Sequence, residues 1–150
     1  MARFAVAGRA TIAGTSALPL VSLYQTAAVR PRIMEVHLFN TTTTAVTVCL
    51  QRLSTTGTQG AGLTEVAENY PEHPPLATAF AGHTVGPTVT AGEIRRATLG
   101  AAIGSGIMWT FPDGVHVSPT TGTAATTNGI GVLIPTGAGQ VLDYVICWVE

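Results

Sequence analysis

The chain has 150 residues, the length of one ordinary domain, enough to bury a core without disulfide or metal staples. Charged residues are only 10% of it and the net charge is -1, against roughly 25% charged residues in an average soluble protein. All seven basic residues are Arg, which excludes a catalytic Lys, a Lys-bearing phosphate loop and the basic stripe that nucleic-acid binding needs.

Strand signals run throughout and helix signals are almost missing, because Thr, Val, Gly and Pro dominate. Phe4, Val6, Gly8, Ala10 and Ile12 alternate up to Gly14, so residues 1–14 predict a first strand or an extended arm. Leu18 to Tyr24 follows as a second strand. Arg32 to Asn40 splits into Met34, Val36 and Leu38 on one face and Ile33, Glu35, His37 and Phe39 on the other, the pattern of a half-buried strand. The Thr41–Thr44 run turns into Ala45–Leu53, and these two sequential strands are expected to form a hairpin.

Ser54 to Gly62 is Thr- and Gly-rich, and Glu65 to Pro75 holds three prolines in its last five residues, so both read as surface excursions. Strands resume near Thr78, with Glu93–Leu99 and then Gly106–Phe111, where Ile107, Trp109 and Phe111 share a face. Pro112-Asp113-Gly114 predicts a turn, followed by a short strand over Val115–Ser118 and a loop over Pro119–Gly129. Ile130–Ile134 reads as a buried strand, Gly137–Gly139 as a turn. In the last strand, Val141–Glu150, Leu142, Tyr144, Ile146 and Trp148 lie on one face and Val141, Asp143, Val145, Cys147 and Val149 on the other. A strand apolar on both faces calls for cover on both sides, a second sheet on one and either a partner chain or a closed barrel or overlying loops on the other.

Catalytic constellations are thin. The four histidines, His37, His73, His83 and His116, occur singly. Glu35 and His37 share a strand face, a spacing that suits proton transfer or a metal but more often marks a solvated polar pair. His73 lies beside Glu72 in a proline-rich loop. Asp113, His116 and Ser118 resemble part of a Ser–His–Asp set, without the strained nucleophile turn; Gly104-Ser105-Gly106 lacks its spacing. Glu65, Glu68 and Glu72 have helical spacing in a segment that ends in prolines. Cys49 and Cys147 sit in apolar strand patterns and read as buried free thiols, a disulfide requiring their strands to be neighbours. The expectation is a non-enzyme with no cofactor and no metal, no direct nucleic-acid contact and no membrane segment, since no apolar run approaches the ~18 residues of a membrane helix.

About eight to ten strands with long crossing loops fit a single-domain all-β protein over 1–150, a two-sheet antiparallel sandwich of jelly-roll type. The stretches RIMEVHLFNTTTTAVTVCLQRLSTTGTQGAGLTE, TAFAGHTVGPT, LGAAIGSGIMWTFPDG and NGIGVLIPTGAGQVLDYVICWVE resemble the jelly-roll head-decoration (cement) proteins of tailed phages. The resemblance spans Arg30 to Glu150 and rests on structural motifs. It implies a homotrimer on the capsid exterior, made in the bacterial cytoplasm, that clamps major capsid subunits and stabilises the shell. Tyr144, Ile146 and Trp148 are then the expected trimer interface, and Arg3, Phe4 and Arg9, on an N-terminal arm, the expected capsid contacts. Another trimeric virion part, tail- or fibre-associated and receptor-binding, is the alternative; a carbohydrate-binding jelly roll or cupin-like enzyme is a weaker one.

Overall fold

A computed structural model of the chain describes residues 1–26, 30–69, 73–118, 127–137 and 139–150. Eleven strands and no helix occur among them: β1 (Arg3–Arg9), β2 (Val21–Tyr24), β3 (Arg32–Asn40), β4 (Val46–Leu53), β5 (Ala61–Gly62), β6 (Val66–Ala67), β7 (Thr78–Ala81), β8 (Val89–Leu99), β9 (Gly106–His116), β10 (Gly129–Thr136) and β11 (Leu142–Val149). They form a five-stranded sheet in the order β6-β1-β11-β3-β9 and a six-stranded sheet in the order β5-β7-β2-β10-β4-β8. Every neighbouring pair is antiparallel.

Eight strands carry the wiring. β1 pairs with β11, β2 with β10, β3 with β9 and β4 with β8. The chain is thus one long antiparallel ribbon folded across itself, with β11–β3 and β10–β4 as the seams. Successive arms alternate between the two sheets, which is jelly-roll topology. The remaining short strands belong to the segment between β4 and β8, at the tip of the ribbon.

The core lies between the sheets. Phe4, Val36, Leu38, Val48, Leu50, Ile130, Val132, Ile146 and Trp148 each expose 2% or less. Alternation is what puts them there, since every second residue of a strand points the same way. The hairpin expected between β3 and β4 does not form: the chain crosses from one sheet to the other through residues 41–45, and each strand pairs with partners distant in sequence. Asn40 holds that crossing. Its amide donates to the carbonyls of Thr44 (2.7 Å) and Gly100 (2.9 Å), and its oxygen accepts from the Thr42 backbone (3.0 Å).

Two departures from simple alternation have a local cause. Ile33, Val36 and Leu38 share the buried face, because the register shifts between Ile33 and Glu35 and moves Ile33 inward in place of Met34. Opposite it, Pro112-Asp113-Gly114 is not a hairpin turn. It lies within β9, where Thr110 faces Glu35 and Val115 faces Ile33, so the extra residues form a bulge. Gly114 takes φ +70° there, a conformation glycine adopts without a Cβ clash. Residues 71–72 of the proline-rich stretch and 119–126 of the loop 119–129 lie outside the described residues.

β1 is the decisive element for the N-terminus. It is no free arm: it runs beside β11 from Arg3↔Val149 to Arg9↔Asp143, and Phe4 is fully buried with its ring 6.0 Å from that of Trp148. Phe4→Ala should cost about 3 to 5 kcal/mol, read by urea denaturation. A loss under about 1 kcal/mol, the scale of a surface change, would show β1 to be dispensable to the core.

Candidate protein-interaction surface

The expected trimer interface residues Tyr144, Ile146 and Trp148 are 3%, 1% and 0% exposed and sit in the core. The aromatic face of β11 is covered by the protein's own second sheet, so it is not available to another chain. Of the expected capsid contacts, Phe4 is buried for the same reason, while Arg3 and Arg9 lie on the outer face of the five-stranded sheet. The sequence pattern correctly separated the two faces of β11; the face turned away from the core is the one that bears Asp143, Val145, Cys147 and Val149.

That outer face is built in rows across the strands. One row is Ala5, Cys147, Glu35 and Thr110; the next is Ala7, Val145, His37 and Met108; the third is Arg9, Asp143, Phe39 and Gly106. The middle row combines the small or apolar Ala7, Val145 and Met108 with His37. The Phe39 ring occupies the space where a side chain at position 106 would go, so Gly106 admits no Cβ. Charges sit at the two ends and are paired. Arg9 makes a two-pronged contact with Asp143 at 2.6 and 2.9 Å. Arg3 donates to Glu35 (2.9 Å) and is paired with Glu68, and His37 Nε2 lies 3.1 Å from Glu35. The Arg3 hydrogen bond holds the Glu35 carboxyl below its usual range, and Arg9 does the same for Asp143. The Glu35–His37 pair read from the sequence is therefore part of an ion-pair network, and its Arg3 partner came from a strand far away in sequence.

Cys49 and Cys147 are free and buried in different sheets, with no disulfide between them. Burial pushes both thiols up to about 11, the opposite of a nucleophile's requirement. Asp113 and His116 accept hydrogen bonds at their backbone carbonyls, from Arg32 and Arg52, and the Ser118 hydroxyl accepts from Asn128. Ser105 Oγ accepts from the Gly100 N–H within the β8–β9 connection. Glu65 accepts from the Ala79 N–H, and Glu68 pairs with Arg3; Glu72 lies outside the described residues. His73 Nδ1 lies 2.8 Å from the Pro74 carbonyl oxygen. Among the described residues no group of three or more His, Cys, Asp or Glu is arranged to hold a metal.

Sequence reasoning missed the polar anchors of the segment between β4 and β8. His83 is 1% exposed, with Nε2 2.8 Å from Ser22 Oγ of β2. Tyr24 donates to the Thr55 carbonyl at 3.1 Å. The buried Glu150 carboxylate accepts from the Leu76 and Ala77 N–H groups and the Trp148 indole, at 2.7 to 3.0 Å for the closest oxygen of each. Single histidines and a glutamate after an apolar strand carry no sequence signal for such distant partners. Through these anchors the segment lays β7 along β2 and β6 along β1, covering the same side of both sheets.

Among the described residues the opposite side has no such cover. β8 and β9, each eleven residues long, are the other terminal strands of their sheets. Arg95, Arg96 and Glu93 guard β8: Arg95 stacks 5.0 Å from the Phe111 ring and Arg96 pairs with Glu93 at 2.6 Å. β9 has no charge from Gly106 to Phe111. Beside it Ile103 and Met108 are 73% and 62% exposed. Edge strands are usually blunted by charge, proline or a bulge; β9 carries all three at Pro112-Asp113-Gly114, beyond Phe111.

Two predictions follow from the burial of these groups. In the folded chain at about pH 8 neither thiol should react with an aromatic disulfide reagent, and both should react once the chain is denatured; rapid labelling of the native protein would contradict the burial. Burial also lowers the His83 pKa below 6.5. The unfolded chain therefore takes up that proton first, so this contribution to stability is complete above pH 6.5 and is lost as pH falls below it. His83→Gln should flatten the stability–pH curve in that window, while Glu35 and Asp143 contribute only at more acid pH. An unchanged slope by urea denaturation would contradict it.

Compared with protein-family models and with curated proteins, the chain matches none.

Proposed function

We propose that this chain is a structural subunit of a tailed-phage particle, a homotrimer that sits on the capsid exterior and stabilises the shell by binding major capsid subunits. The observation that carries the assembly part of this reading is the uneven protection of the sandwich. The chain covers the β1/β2 side of both sheets with its own β6 and β7 and, among the described residues, leaves β9 as a terminal strand that carries no charge from Gly106 to Phe111, with Ile103 and Met108 exposed. A protein with so little charge and an open edge gains by placing that edge against another protein chain.

The capsid part rests on the resemblance of the four sequence stretches to jelly-roll cement proteins. The jelly-roll wiring and the wide outer sheet face are compatible with it. A shell clamp needs no reacting group. It needs several modest contacts made at once, which multiply in effect when the subunits are linked. The paired charges on the outer face suit this, since Arg3, Glu35, Glu68, Arg9 and Asp143 already have partners within the chain and place no demand on a neighbour.

The reading has a direct test in two measurements. Light scattering or native mass measurement of the full chain is expected to give three copies. Antibody raised against it and carried on gold is expected to decorate the shell of the virions that contain it. A monomer at micromolar concentration removes the assembly reading, and label confined to the tail transfers the chain to the tail- or fibre-associated class.

A further inference from the structure

We propose that the paired short strands β5 and β7 form a pH-released cover on the β2 edge of the six-stranded sheet, latched by the buried contact of His83 with Ser22: uptake of one proton by His83 opens the cover while the rest of the sandwich stays folded. The inference goes beyond the assembly reading and is independent of it, since it concerns a movement within one chain.

Three observations lead to it. First, the cover is one unit. β5 pairs with β7 at Ala61↔Ala81 and Gly62↔Phe80. Beyond His83 the same two limbs are joined again, where the Thr58 N–H donates to the Val85 carbonyl and the Thr84 N–H to the Thr58 carbonyl, both at 3.0 Å. The unit meets the sandwich along one edge, Val21–Tyr24 of β2 against Thr78–Ala81. Second, little apolar surface holds it down. Among the described residues between β4 and β8, only Ala77 and Ala79 are buried members of the core, with Leu63 half-buried against them. A unit with so few buried apolar contacts opens at lower free energy than the strands beneath it.

Third, the latch is a titratable ring in a site that has no place for its charge. His83 is 1% exposed, its Nε2 lies 2.8 Å from Ser22 Oγ, and its Nδ1 is buried without a hydrogen-bond partner. The groups that face the ring are neutral. β2 supplies the Ser22 hydroxyl and the Tyr24 ring, 6.2 Å away between centroids, whose phenol burial keeps protonated. The stretch before β5 supplies the Thr56 backbone. Burial disfavours the charged ring more than that backbone favours it. Among the described residues no carboxylate pairs with His83; the histidine–carboxylate contacts are those of His37 with Glu35 and His73 with Glu150. A protonated imidazole is a donor at both nitrogens. Ser22 accepts one, and the second N–H and the charge are left unmatched away from water. Opening the cover returns both to solvent. The closed form is therefore complete above pH 6.5, the ordinary value for the ring, and is lost as pH falls below it.

Amide hydrogen exchange of the full chain, read by mass spectrometry on peptides and corrected for the intrinsic pH dependence of exchange, tests this. Between about pH 7.5 and about pH 5.5 the protection of β5 and β7 should fall severalfold, with about tenfold as the ceiling for one proton over that interval. β10 and β11 should keep theirs. In His83→Gln the protection of the cover should be equal at both pH values, whatever its level. Unchanged protection of β7 in the native sequence would overturn the inference. A fall shared by β10 and β11 is global unfolding and would overturn it too. A fall that persists in His83→Gln would assign the response to the carboxylates that anchor the same segment, Glu65 on the Ala79 N–H and Glu150 on the Leu76 and Ala77 N–H groups, and would end the latch reading. A second measurement needs no variant: deuterium uptake at the His83 ring carbon Cε1 follows the titration of the ring. Its midpoint is expected below pH 6.5, and a midpoint at or above that value contradicts the latch. None of these outcomes bears on the number of copies or their place on a particle, so failure here leaves the proposed function standing.

Discussion

The pairing of β1 with β11, and of β11 with β3, is the constraint on which the rest of the molecule depends. β11 is the centre of the five-stranded sheet, and its inward side chains, Leu142, Tyr144, Ile146 and Trp148, are all buried. They meet Phe4 and Val6 from one neighbour and Val36 and Leu38 from the other. Strands from the beginning, middle and end of the chain must be in register before this layer exists. Nearly all the contacts that stabilise it are long-range, and topologies of this kind fold slowly because loop closure precedes the reward of pairing.

The segment between β4 and β8 is the second organising feature. It is held by side chains rather than by a core of its own. Ser22 with His83, Tyr24 with the Thr55 carbonyl, and Glu150 with the Leu76 and Ala77 N–H groups each join it to a strand of the sandwich. Buried polar groups are costly unless satisfied. These contacts therefore specify one seating of the segment over others. The consequence is structural asymmetry among the described residues: strands added along β1 and β2 on one side, and none added along β8 and β9 on the other.

The ionisable groups follow the same logic. The charges on the outer sheet face are satisfied in pairs across strands, Arg3 with Glu35 and Glu68, Arg9 with Asp143. The thiols are driven toward the protonated, inert form by burial. Exposed ion pairs contribute little to stability, and their effect here is chiefly to neutralise a sheet face that would otherwise present bare charge between small side chains.

The all-β class was legible from the sequence, because period-two alternation and turn residues are local signals. Arg32–Asn40, Gly106–Phe111 and Val141–Glu150 could be placed on strands from residue order alone, and so could the two faces of the last one. What sequence order could not supply was which strands become neighbours. β3 and β4 adjoin in the chain yet lie in different sheets, since the fold of the ribbon, and not sequence adjacency, sets their partners. The same reason moved Tyr144, Ile146 and Trp148 from an expected interface into the core, and decided between the two readings of residues 1–14, a first strand or an extended arm, in favour of a strand beside β11. Arg3 with Glu35 and Ser22 with His83 lie 32 and 61 residues apart, beyond any local pattern. Alternation determines that a side chain has an inside and an outside; only tertiary pairing decides what stands on each.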